Sequence, residues 1–182
     1  MLEVLEKPEA RQLLHKLPVE EYFRIAEGLK TELLRGVIFD KMPKSQLHIN
    51  FLLILGRLLR EQVGNHFEIM SENPLALADS APEPDLAIID PVKTLDSPRF
   101  TSAHLVVEIS VTTKAYDAAK ADIYAEANIP VYWQILPVEK TTIVYSQPIA
   151  GKYTSVETLA FDAALTTLLP GKHLTVRLSA IP

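Results

Sequence analysis

The chain has no cysteine, which removes disulfide staples, thiolate metal sites and a cysteine nucleophile together. That absence fits a reducing compartment, and the cytoplasm is the expected location. No apolar run reaches the roughly 20 residues a bilayer span needs. The longest, Phe51 to Leu59, is broken by Gly56 and Arg57. The opening residues, Met1-Leu-Glu-Val-Leu-Glu-Lys7, carry early acids and no apolar core, unlike a signal peptide. A soluble protein that does not enter membranes is expected. Glycine is scarce, at 6 residues in 182, and neither an internal repeat nor a low-complexity linker is visible. An excess of positive charge is missing as well. The net charge of -5 argues against indiscriminate nucleic-acid binding, because Lys and Arg supply most non-specific affinity for phosphate. A local basic groove on an acidic protein remains compatible with that balance.

Against those absences stands ample material for a core. With 48% hydrophobic residues, 1–182 reads as one globular domain. Pro18 to Ala26 reads as a short amphipathic helix, with Pro18 at its start and Glu20 and Glu21 placed against the helix dipole. Thr31–Arg35 and Val37–Lys41 read as strands of a hairpin around Gly36. Pro43 and Ser45 announce a long helix to about Val63. Leu47, Phe51, Ile54, Leu55, Leu58 and Val63 form its apolar face, which should pack on a sheet. Strands are expected at Phe67–Met70, Asp85–Asp90, Leu105–Ile109 and Val131–Ile135. The segment 115–127 should be a helix, so that 105–135 forms a strand-helix-strand unit with a right-handed crossover and parallel strands. Thr141–Tyr145, Lys152–Val156 and Leu174–Leu178 alternate as further strands. The loop from Pro91 to Ser102, with Lys93, Asp96, Pro98 and Arg99, reads either as an overhang above a site or as a plain connection.

The chemistry concentrates between Pro84 and Lys120. Asp85 opens one apolar run, Asp85-Leu-Ala-Ile-Ile-Asp90, and Glu108 sits inside another, Leu105-Val-Val-Glu-Ile109. Carboxylates withdrawn from water beside buried strands cost several kcal/mol or more unless they meet a cation or donors, so the pair suggests a shared divalent ion. Asp85 alone would read as a turn residue. Farther on, Asp117, Lys120 and Tyr124 recur at helical spacing and share one face.

A Pro-Asp, a Glu at the end of an apolar strand and a following Lys resemble the PD-(D/E)xK nuclease superfamily. More narrowly, Glu108-Ile-Ser110, Asp117-Ala-Ala-Lys120-Ala-Asp-Ile-Tyr124-Ala125 and Asn128-Ile-Pro-Val-Tyr-Trp133 resemble the Uma-two family of restriction-endonuclease-like proteins. Upstream, Glu32-Leu-Leu-Arg-Gly36, Met42-Pro43 and His48 are similar to that family's opening. Downstream, Gly151-Lys-Tyr153 and Leu169-Pro-Gly171 are similar to its tail. The resemblance implies an α/β fold: a restriction-endonuclease-like central mixed β-sheet flanked by helices, with an N-terminal β-hairpin and additional C-terminal strands.

By the same resemblance, Asp85, Glu108 and the Ile109 carbonyl would hold Mg²⁺ or Mn²⁺, oxygen ligands suited to a hard ion. In the superfamily's plainest form the lysine lies two residues after the acid, where this chain has Ser110. The resemblance moves that role to Lys120, whose bland alternative is a solvated helix lysine. Asp117 would orient Lys120, and Ser110 would bind a metal water or cap the helix. Glu32 matches the family's first acid yet reads equally as an exposed strand residue. His48 would hold a substrate phosphate or fill a polar niche. Val111 and Leu136 stand where the family often has Asp. His15, His66, His104 and His173 show no ligand spacing, and Tyr132 and Trp133 read as core or interface aromatics.

The implied activity is metal-dependent endonucleolytic hydrolysis of phosphodiester bonds, with DNA as nucleic-acid partner and a homodimer as assembly. The alternative is a catalytically inactive dimeric nuclease-fold scaffold for DNA binding or protein interaction, favoured by the acidic balance and by Val111 and Leu136. A hydrolase of some other phosphorylated substrate is a third reading.

Overall fold

Buried strands at the centre of the chain pair into a six-stranded mixed sheet. A computed structural model describes residues 16–92 and 99–181. The strands are β1 (Thr31–Leu34), β2 (Val37–Asp40), β3 (Glu68–Ser71), β4 (Leu86–Ile89), β5 (Leu105–Ile109), β6 (Val131–Leu136), β7 (Thr141–Ile149), β8 (Lys152–Ala160), β9 (Leu165–Leu169) and β10 (Lys172–Val176). The main sheet has the order β3-β4-β5-β6-β7-β8, and β1-β2 and β9-β10 form two separate hairpins. As the strand-helix-strand reading requires, β5 and β6 are adjacent and parallel, with Glu108 opposite Gln134, while the other neighbours in the sheet run antiparallel.

Alternation along the central strands sorts the core into two faces. Leu86 and Ile88, Leu105, Val107 and Ile109, and Trp133 and Ile135 share one cluster with Leu55 and Leu59 of helix α2 (Gln46–Val63) and with Leu165, Leu169, Leu174 and Val176 of the β9-β10 hairpin. Ala87, Ile89, Val106 and Tyr132 share the other with Ile123 and Tyr124. Glu108 and Gln134 have the parity of Val106 and Tyr132, so they belong to this second face. The pattern therefore dictates which helix Glu108 meets.

Helix α1 (Val19–Ile25) follows Pro18 as expected, and α2 begins after Ser45, whose hydroxyl accepts the His48 backbone N–H. Leu47 of the expected apolar face is exposed instead. Phe51, Leu55 and Val63 are buried as expected, His48, Leu52 and Leu59 complete the buried stripe, and Ile54 and Leu58 pack at its edge partly buried. The hairpin turn of β1-β2 places Arg35 and Gly36 at φ 56° and 81°, the left-handed pair that two-residue hairpins favour. At Gly36 a Cβ would lie 2.7 Å from the Lys16 Cβ, so glycine is required there twice over.

The expected 115–127 helix is two short ones, α3 (Lys114–Ala119) and α4 (Ala121–Glu126), joined at Lys120. The Lys120 N–H reaches back only three residues, to the Asp117 carbonyl at 3.0 Å, which tightens the turn at that point. Strands β7 and β8 are longer than expected, β9 was not anticipated, and β10 starts and ends two residues earlier than the 174–178 reading. Lys93, Asp96, Pro98 and His15 lie outside the described residues, while Arg99 stacks over the Phe23 ring at 4.1 Å. No described helix is long and apolar enough to cross a membrane.

Candidate active site

Five segments of the chain deliver their polar residues to one cavity of about 540 Å³, lined among others by Glu32, His48, Asp85, Glu108, Asp117 and Lys120. Glu32 comes from β1, His48 from the first turn of α2, Asp85 from the residue before β4, Glu108 from β5, and Asp117 and Lys120 from α3 and the joint behind it. Every one is buried, Glu108 and Lys120 each at 3% exposure. Glu32 is therefore not the exposed strand residue that its position allowed.

Lys120 is the hub. Its ammonium lies 3.0 Å from Glu108 Oε1, 3.1 Å from Glu32 Oε2 and 3.6 Å from Asp117 Oδ1. Tyr124 donates its hydroxyl to the same Glu108 oxygen at 2.8 Å, and Tyr116 donates to Glu32 Oε1 at 2.8 Å. Burial works to lower the Lys120 pKa, but the surrounding carboxylates outweigh it and hold the group well above the ordinary lysine value. One ammonium cannot satisfy three carboxylates. Burial dominates at Glu108 and pushes its carboxyl up to about 8 despite Lys120, with the charges of Asp117, Asp85 and Glu32 adding to the rise. Asp117 is raised for the same first reason, with Lys120 and the Thr113 and Ser110 hydroxyls opposing.

Asp85 has a different environment. Its Oδ2 accepts the Ile109 N–H at 2.7 Å, and its Oδ1 faces Lys44 Nζ at 3.2 Å and His48 Nε2 at 3.0 Å. The last contact is close in distance but poorly directed as a hydrogen bond. Burial would raise the Asp85 carboxyl, yet His48, the Ile109 N–H and Lys44 overcome it and hold it below the usual range. His48 Nδ1 donates to the Ile109 carbonyl at 2.9 Å. His48 thus fills a polar niche between Asp85 and Ile109. Ser110 does not cap the helix. Its hydroxyl donates to Asp117 Oδ2 at 2.7 Å.

The sequence reading overlooked Lys44, Tyr116 and Gln134, and it noted Tyr124 only for its helical spacing. Tyr116 was findable, since it lies four residues before Lys120 on the same helical face. Lys44 and Gln134 gave no local signal. Val111 lines the cavity and Leu136 is buried; neither brings a charge. Tyr132 and Trp133 are fully enclosed in the core. Among the described residues no cluster of three or more His, Cys, Asp or Glu is arranged to hold a metal ion. The donors that remain are two carboxylates and a main-chain carbonyl, all oxygen. That chemistry, with carboxylates outnumbering the Lys120 ammonium, fits a hard divalent ion completed by water.

Fold and cavity together define an α/β protein of the restriction-endonuclease-like class, its mixed sheet carrying buried carboxylates and a lysine at one end. Residues 19–177 match the Uma2 family model, described as "Putative restriction endonuclease", and the chain belongs to that family. Its fold is similar to that of a crystal structure described as "a putative nuclease belonging to DUF820" from Anabaena variabilis ATCC 29413. The TM-score is 0.72 at 16% identity, over 91% of this chain and 97% of the other. No curated protein matches the chain.

Proposed function

We propose that the protein is a divalent-cation-dependent endonuclease that hydrolyses phosphodiester bonds in DNA. The observation that carries this reading is the Lys120 ammonium, 3.0 Å from Glu108 inside the cavity that also holds Asp85. Asp85, Glu108 and the Ile109 carbonyl would hold Mg²⁺ or Mn²⁺. When bound, such an ion supplies Lewis-acid polarisation of a phosphoryl oxygen and a water of lowered pKa.

The role of Lys120 follows from its charge. Held protonated by its carboxylates, it is a donor rather than a general base at neutral pH. It therefore steadies the charge that develops on the phosphoryl oxygens as water attacks phosphorus and the P–O bond to the leaving oxygen breaks. Glu32 and Asp117 fix the ammonium's place, and Tyr124 fixes Glu108. At the cavity wall Lys41 pairs with Glu83 and Lys44 with Glu72 and Asp85, and the acids lining the cavity outnumber its lysines, so the positive charge that a polymer backbone needs there would come chiefly from the bound ion. A homodimer, expected from the family, would be read by sedimentation at micromolar concentration.

The test is cleavage of supercoiled and linear DNA, with RNA in parallel, in Mg²⁺ or Mn²⁺, by wild type, Asp85→Ala and Lys120→Ala. Cleavage by wild type alone supports the reading; cleavage by all three alike excludes this cavity. A non-catalytic scaffold has one observation in its favour: both Asp85 oxygens are already held by the chain's own donors. Calorimetry with Mn²⁺ separates the two, because the scaffold needs no ion.

A further inference from the structure

Gln134 touches none of the cavity, yet it is fully buried on β6 and hydrogen-bonded at both ends of its amide. Its Nε2 donates to the Lys114 carbonyl at 2.6 Å and to Ser110 Oγ at 3.1 Å, and its Oε1 accepts from Tyr145 at 3.3 Å. The Lys114 carbonyl can only accept, which fixes the amide with its NH₂ on that side. Ser110 must then accept from Gln134, so its single proton is directed to Asp117 Oδ2. The Thr113 hydroxyl donates to that same oxygen, and Asp117 Oδ1 is left facing Lys120.

We propose that Gln134 is a positioning residue: through Ser110 it fixes the orientation of the Asp117 carboxylate that faces Lys120, and so where the ammonium sits on Glu108. The position two residues after the acid, lacking a lysine, is thereby used by Ser110 to anchor the helical segment that brings one. Tyr145, held in this network, stacks on Tyr132 at 5.1 Å. The Tyr132 hydroxyl donates to the Asp117 carbonyl at 3.0 Å, so both main chain and side chain of Asp117 are fixed from the β6 side.

The direct test is heteronuclear NMR of the Lys120 ammonium, whose protons should exchange slowly in a buried, ion-paired setting. Gln134→Leu keeps bulk without donors, and Ser110→Ala breaks the relay one step later. In both, the ammonium signal should broaden or shift, while the indole signal of Trp133, on the opposite face of β6, stays in place. An unchanged ammonium signal in both variants, or equal movement of the Trp133 signal, overturns the proposal. The activity arm rests on the endonuclease reading: Gln134→Leu should lower kcat about tenfold with KM within about twofold, and should cost nothing more in a Lys120→Ala background. Independent, multiplying losses would mark a merely structural role. Should wild type cleave no nucleic acid, that reading falls, and the NMR arm still decides Gln134.

Discussion

Glu108→Gln isolates the electrostatic cost of the cavity. The substitution keeps the shape and leaves an oxygen to accept from Lys120 and Tyr124, but it removes a carboxyl whose pKa burial pushes from 4.5 to about 8. Below pH 4.5 the group is neutral in the folded and the unfolded chain. Between 4.5 and 8 the unfolded chain releases its proton while the folded chain retains it, so wild-type stability falls as pH rises through that window. At about 1.4 kcal/mol per unit, the ceiling on the loss is roughly 5 kcal/mol. The interaction is shared with Lys120, Asp117, Asp85 and Glu32, so a few kcal/mol is the expected part. For a chain of this size that corresponds to a difference of roughly 5–15 °C in melting temperature.

Thermal or urea melts in EDTA at pH 5, 6.5 and 8.5 should show the variant nearly level with wild type at the lowest pH and progressively more stable above it. Adding Mn²⁺ should raise the melting temperature of wild type and not that of the variant. A constant offset at all three pH values, or wild-type stability that climbs with pH relative to the variant, would refute the reasoning.

Lys120→Ala should retain Mn²⁺ binding by calorimetry while turnover falls roughly a hundredfold. In EDTA the same variant leaves three buried carboxylates without their ammonium, so its melts should show a loss of about 3 kcal/mol that deepens with rising pH. Asp85→Ala should abolish Mn²⁺ binding and destabilise the fold by about 3 kcal/mol in urea melts, because the Ile109 N–H, Lys44 and His48 lose a common partner. Tyr116→Phe removes one donor from Glu32 and should cost only about 1 kcal/mol in the same assay.

The elements legible beforehand were those with strong local signals. Leu105-Val-Val-Glu-Ile109 announces a buried strand by its branched run, and Ser45 followed by apolar spacing announces α2. Strand β9 was obscured because the preceding Phe-Asp-Ala-Ala has no strand character and only Leu165, Thr167 and Leu169 point inward. The joint at Lys120 was invisible for the opposite reason: its neighbours Ala118, Ala119 and Ala121 are all strong helix formers, and the kink follows from tertiary pairing. Asp85, Glu108 and Lys120 stood out as charges among apolar or alanine-rich residues. Gln134 owes its place to strand register and Lys44 to the connection between β2 and α2, and neither is encoded within a short window.

The β1-β2 hairpin supplies Glu32 to a lysine pocket whose other members lie far along the chain; Tyr116 and Glu32 are 84 positions apart. Loop closure over that span must precede the contacts that reward it. Because the hairpin precedes β5, α3, α4 and β6 in the chain, Glu32 is made first and must wait for Lys120 until those later elements exist. Asp85 and Glu108 lie beside or on the paired strands β4 and β5, so the carboxylates proposed to hold an ion can meet without the hairpin, whose docking completes only the lysine pocket.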